Sequence, residues 1–286
     1  KDPGSVQVAQ GRTSVSAMTC CSNPFKIEVM WPGEIATSNW FPPLVYLIFS
    51  GILAIVFVAF QILHIIDNSH LGGFYAIFLT HWALVLQTIT MVLLFISTAW
   101  GYTKLPDGPS QGQAPLFVRY TVAFWYLIQP TSLIVVILYW TLINPIFNDP
   151  FLPELSSIWA HLLNWLCLLV SLFASRIPWS FKNSIWGLLF LVAYLLWTLI
   201  HFFLRIGRGF SCDLYPDPEC PIYDEFDWNM PGITTLIVLA TVVIYGVIAL
   251  LYTGLFRCRD SCSPAMTFSD ASGKEAETKD EPENGA

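Results

Sequence analysis

Apolar residues gather in six long runs: Leu44–Ile66, Phe74–Thr98, Leu116–Asn144, Ser157–Ser175, Ser184–Ile206 and Ile233–Phe256. A bilayer core about 30 Å thick takes roughly 20 helical residues to cross, and these runs have that length. None contains Asp or Glu, and their basic residues, Arg119 and Arg205, stand near run ends. Strict apolar–polar alternation is absent, so helices rather than barrel strands must satisfy the backbone in lipid. The pattern predicts an all-α, polytopic membrane bundle of about six transmembrane helices. Pro130 falls mid-way along the third run and predicts a kink there, because proline removes a backbone donor.

Polar and helix-breaking residues divide the runs. Pro42-Pro43 precedes the first, Pro106 to Pro115 fill the approach to the third, Asn144-Pro145 closes it, and Pro231-Gly232 opens the last. This gives an N-terminal segment at residues 1–43, read as partly disordered. A bundle follows at 44–256, then a polar disordered tail at 257–286, rich in Glu, Lys, Ser and Gly. No secretory signal pattern is read before the first run.

Composition supports lipid as the solvent. The 286 residues are 55% hydrophobic and 12% charged, with a mean hydropathy of +0.59; a soluble domain carries roughly 25% charged residues. The net charge of −7 and the scattered basic residues argue against nucleic acid as a partner. Charge also orients the chain. Lys1, Arg12, Lys26, Lys104, Arg119, Arg176, Lys182, Arg257 and Arg259 all lie on one side of the six runs, and only Arg205 and Arg208 border the other. By the positive-inside rule both termini face the cytoplasm. Cys212 and Cys220 then lie outside, in an acidic fifth loop, and are expected to form a disulfide. Cys20, Cys21, Cys258 and Cys262 flank spans on the inner side, where cysteines are open to palmitoylation. Cys167 reads as a small core residue. The chain ends in Glu-Asn-Gly-Ala without a retention motif, so the plasma membrane is the default location.

With no carboxylate in the runs, histidine supplies the titratable chemistry. His64, His70, His81, His161 and His201 all fall toward the outer side. At about 1.5 Å of rise per residue, Thr80 is placed about 9 Å and His161 about 6 Å into their runs, in a common layer. Asn164 follows His161 on the same helical face and Trp165 is four residues on. A Thr–His pair at that level would suit hydrolysis of a long-chain ester, with histidine taking the hydroxyl proton. The bland reading is that interfacial histidines bond headgroups, and that threonines in membrane helices bond their own backbone.

The stretches Leu79-Thr80-His81-Trp82 through Gln87, His161-Leu-Leu-Asn164-Trp165, Ser175-Arg176-Ile177-Pro178-Trp179, Tyr194, Ile222-Tyr223 and Asp227-Trp228-Asn229-Met230-Pro231-Gly232 resemble the rolling stone family of multi-pass membrane proteins. The resemblance covers roughly residues 40–257. That family is distantly similar to the FAR-17a/AIG-like membrane hydrolases, which cleave fatty acid esters of hydroxy fatty acids with an intramembrane Thr and His. This likeness implies Thr80 as nucleophile and His161 as base. His81, Gln87, Asn164, Trp165 and His201 are expected to line the pocket around them. The acidic fifth loop with its cysteines departs from the hydrolase pattern.

Two functions therefore compete: an intramembrane hydrolase of fatty-acyl esters, and a non-catalytic membrane protein that organises partners in adhesion or cell fusion. Membrane lipids or acyl esters are the expected ligands, other membrane proteins the alternative partners, and no cofactor or metal is expected. A histidine-bound zinc hydrolase lacks the usual carboxylate support. A transporter lacks paired broken helices and an acidic relay.

Overall fold

The computed structural model describes residues 33–105, 114–143, 155–208 and 220–262, with Glu225 excepted. Six helices in it are long and apolar enough to cross a membrane: α1 (Pro43–Asp67), α2 (Leu79–Lys104), α3 (Leu116–Leu142), α4 (Leu155–Ala174), α5 (Phe181–Leu204) and α6 (Pro231–Cys262). The described residues form no sheet, and one isolated bridge joins Ser38 to Ser175. The protein is thus an all-α, multi-pass bundle.

α3 is the axis. It is 67% buried along its apolar window, against 22% for α5 and α6, and it packs against α2, α4, α5 and α6. Its interior carries Thr121, Gln129, Thr131 and Ser132, all fully enclosed. A buried polar group needs a partner. Thr131 bonds back to the Leu127 carbonyl (2.6 Å), and Gln129 donates across to the Leu168 carbonyl of α4 (3.2 Å). Pro130 sits inside a continuous helical segment, Leu116–Leu138. The outer faces of α1 and α6 expose Ile48, Ile52, Ile55, Leu236, Val243 and Leu250, the surface expected toward lipid.

Three boundaries differ from the sequence pattern. The pattern places the second span from Phe74, yet α2 begins at Leu79, because Phe78 is extended (φ −88°, ψ 136°) and residues 69–77 before it form 3-10 turns broken at Gly72 (φ 52°). Thr80 is therefore in the first turn of its helix, not two turns inside it. The last span was expected to end at Phe256, with a disordered tail after it. Instead α6 continues to Cys262 because Arg259 is buried (2% exposed). Its Nη1 donates to the carbonyls of Leu172, Ser175 and Ile177 at 3.3, 3.0 and 3.1 Å. The guanidinium lies 4.6 Å from the centre of the Phe256 ring and pairs with Asp260. The third difference is at the N-terminal segment, where Ser38 donates to the Ala174 carbonyl and Asn39 to that of Ser175. The C-terminal end of α4 thus has its orphan carbonyls satisfied from both chain ends. This is the physical role of the Ser175–Trp179 stretch. Residues 1–32 and 263–286 lie outside the described residues.

Candidate functional site

The first turn of α2 exposes backbone N–H groups that have no partner within the helix. Phe78, at the cap position, supplies no side-chain hydrogen bond. The cap comes from far along the chain: the Tyr223 hydroxyl accepts from the Leu79 N–H at 3.0 Å. The hydroxyls of Thr80 and Tyr194 lie within interaction range of the same oxygen. Tyr194, on α5, donates in turn to the Ile77 carbonyl at 2.8 Å. Enclosure raises the Tyr223 hydroxyl to about 12, so it is a neutral donor and acceptor at physiological pH. Thr80 is thus joined to the Tyr223 hydroxyl, and through it to Tyr194, at a positively polarised helix end.

This cluster closes one end of an apolar cavity between α2, α3, α5 and α6. Thr80, Tyr194 and Tyr223 line it together with Val135, Leu188 and Leu191, and it holds about 100 Å³ of room. Val192 of α5 and Val242 of α6 also border the cavity, and they are 44% and 48% exposed on the outside of the bundle. The mouth therefore faces where lipid would lie, between two helices. Phe226, from the segment before α6, covers the same space. That segment is held by Trp228, which donates to Thr198 Oγ1 (3.2 Å), and by Asp227, which accepts from the Asn229 N–H (2.8 Å). Thr234 Oγ1 donates to the Asp227 carbonyl at 2.6 Å. The Asp227–Gly232 stretch is a built turn that aims α6 at its position.

His161 belongs to a neighbouring arrangement. α3 ends in a π-helical turn, Tyr139–Ile143, and α4 contains another, Trp159–Leu163. Such turns widen the helix by one residue and often mark functional sites. The two face each other. The rings of Tyr139 and His161 stack 3.3 Å apart and 3° from parallel, Trp140 Nε1 donates to the His161 carbonyl (3.1 Å), and Tyr139 bonds Ser157 (2.7 Å). Tyr139 also lines the apolar cavity, so its ring is the wall between that cavity and His161. His161 Nδ1 is buried without a hydrogen-bond partner. The described hydrogen bonds include none between Thr80 and His161.

The remaining predicted residues fall in three places. His81 stacks on Tyr75 (3.8 Å) and lies 4.9 Å from His64, whose Nδ1 meets the Tyr75 hydroxyl at 3.1 Å. Gln87 and Asn164 bond each other (2.9 Å), and Trp165 donates to Tyr252 (3.1 Å). His201 bonds the Gly207 carbonyl (2.6 Å) and lines a second pocket with Trp228, Asn229 and Cys220. None of these five lines the Thr80 cavity. Among the described residues, no group of three or more His, Cys, Asp or Glu is arranged to hold a metal. Cys212 lies outside the described residues, and with it the expected disulfide.

Tyr223, Tyr194 and Tyr139 are the residues whose roles sequence reasoning did not assign, although the first two stand in the quoted family stretches. A family model described as protein rolling stone matches residues 38–270. The chain belongs to the rolling stone family. In this rolling stone protein the family stretches do structural work at both ends of the bundle: Ser175–Trp179 receives Arg259, Tyr223 caps α2, and Asp227–Gly232 starts α6. No curated protein and no solved structure matches the chain.

Proposed function

We propose that this rolling stone family member binds the acyl chain of a membrane lipid in the cavity between α2, α3, α5 and α6. The observation that carries this is the pairing of an apolar cavity, open sideways between Val192 and Val242, with a polar end at Thr80, Tyr194 and Tyr223. A pocket of this kind, apolar with a few convergent polar groups, is built for an amphiphile. The acyl chain enters from the lipid side, and a carbonyl or ester group rests against hydroxyl donors and the N-terminus of α2.

A second reading adds hydrolysis of a fatty-acyl ester. It is favoured by Thr80 standing in the cavity wall and by Tyr139 being shared between the cavity and His161. In that reaction the Thr80 oxygen bonds the ester carbonyl carbon and its proton passes to His161. The alkoxide leaves with that proton, and water then cleaves the acyl–threonine bond. Tyr139 would have to swing aside, since the resting arrangement puts its ring against the imidazole. Native mass spectrometry of protein purified in mild detergent tests binding: a co-purified acylated lipid, lost in Leu191→Trp, is the expected result. A fluorophosphonate probe tests catalysis. Labelling at Thr80, with turnover lost in both Thr80→Ala and His161→Ala, supports the hydrolase. Bound lipid without labelling or turnover supports a non-catalytic protein that organises lipid or membrane partners.

A further inference from the structure

α6 carries two unpaired, exposed thiols near its end, Cys258 and Cys262. Four residues apart, they share one helical face, and the two thiols lie close enough to interact with each other. The face they share is decided by their neighbours. Tyr245, Ile248, Tyr252, Phe256 and Arg259 are the buried side of α6. Val243, Val247 and Leu251, at 67%, 61% and 49% exposure, form the opposite stripe. Steps of three and four residues lead from Val247 through Leu251 and Gly254 to Cys258 and Cys262, so the thiols continue the lipid-facing stripe.

Their depth follows from the charges beside them. Arg257 is exposed, and Arg259, paired with Asp260, holds the end of α4. At about 1.5 Å per residue, Cys258 lies about 3 Å and Cys262 about 9 Å past Phe256, the last apolar residue of the span. The thiols therefore stand where hydrocarbon gives way to headgroups, on the side assigned to the cytoplasm by the basic residues.

We propose that Cys258 and Cys262 are S-acylated with long-chain fatty acids. Each thiol sulfur bonds the carbonyl carbon of an acyl-coenzyme A thioester, the bond to coenzyme A breaks, and the thiol proton goes to the departing coenzyme A. Each chain then folds back along Val247 and Val243 into lipid, which needs no rearrangement of the helix. The attached chains fix the depth of this end of α6 in the bilayer. An intrahelical disulfide would leave that lipid-facing stripe uncovered. The proposal rests on the cytoplasmic placement of the C-terminal flank and is independent of the cavity's function.

Hydroxylamine-dependent exchange of thioesters for mass tags tests this, on full-length protein from animal cells carrying Cys20→Ser and Cys21→Ser. The expected result is two tags, one in each of Cys258→Ser and Cys262→Ser, none in the double variant, and unchanged melting temperature throughout. Two results would overturn the proposal: tags that persist in the double variant, or untagged protein whose Cys258 and Cys262 react freely with maleimide in opened cells. Reaction of those thiols with an impermeant maleimide on intact cells would overturn the orientation beneath it.

Discussion

Arg259→Met should be among the most damaging single substitutions outside the cavity, and its size follows from the geometry. Nη1 has two protons and three carbonyl acceptors, at 3.0, 3.1 and 3.3 Å, so one proton is shared. That amounts to two charge-assisted bonds, each worth about 1.5–3 kcal/mol. The contact with Phe256 adds about 0.5–1 kcal/mol. The pair with Asp260, whose side chain is 61% exposed, adds little. Water at the bundle end recovers part of the loss at the three carbonyls. A net loss of about 3 kcal/mol remains, roughly a hundredfold in the folded-to-unfolded ratio. Methionine preserves the apolar stem, so the loss reports the guanidinium. Equilibrium unfolding in mixed micelles measures it, with Arg257→Met as the exposed control and Arg259→Lys expected between the two. If Arg259→Met were as stable as Arg257→Met, the clamp would be a packing coincidence and the extension of α6 would need another cause.

Three further outcomes follow from other contacts. Gly187→Ala would place a Cβ 2.3 Å from the Tyr245 hydroxyl and 2.9 Å from Thr131 Oγ1; overpacking should cost about 1–3 kcal/mol, with partial recovery in Gly187→Ala/Tyr245→Phe, measured by melting temperature. Tyr223→Phe orphans the Leu79 N–H and should cost about 1–3 kcal/mol at neutral pH. Because burial raises the folded Tyr223 hydroxyl to about 12 from its ordinary 10.0, wild-type stability from this group is complete below pH 10 and falls as pH rises through 12. The gap between the two proteins should therefore shrink across that alkaline window, and a constant gap would contradict the enclosure of Tyr223. For orientation, an impermeant maleimide on intact cells should label Cys212 only after reduction or in Cys220→Ser, and labelling from the cytoplasmic side alone would reverse the assigned topology.

The helices were legible in the sequence because an apolar run of membrane-spanning length has few other readings. Their ends were less so. Phe74 to Phe78 are as apolar as the helix that follows, and it is the 3-10 backbone of residues 69–77 and the extended Phe78 that set them apart from it. Arg259 looked like one more cytoplasmic charge, since charge alone does not tell a buried clamp from a solvated flank. The site was partly legible. Rise per residue predicts Thr80 and His161 at a similar depth, but depth says nothing of rotation about the helix axis. The π turn at Trp159–Leu163 shifts the face on which His161 projects, and it points to Tyr139 on α3. Tyr223 caps α2 across 144 residues of sequence, a pairing no local pattern encodes.

Central to the proposed function is an acyl chain in the cavity beside Thr80. A fatty acid carrying a diazirine near its middle, fed to cells and activated by light, tests this most directly. Crosslinks should map to cavity-lining residues such as Leu188, Leu191 and Val135, and should disappear in Leu191→Trp while the fold is retained. Crosslinks confined to the outer stripes of α1 and α6, unaffected by Leu191→Trp, would show that lipid only surrounds the bundle and never enters it.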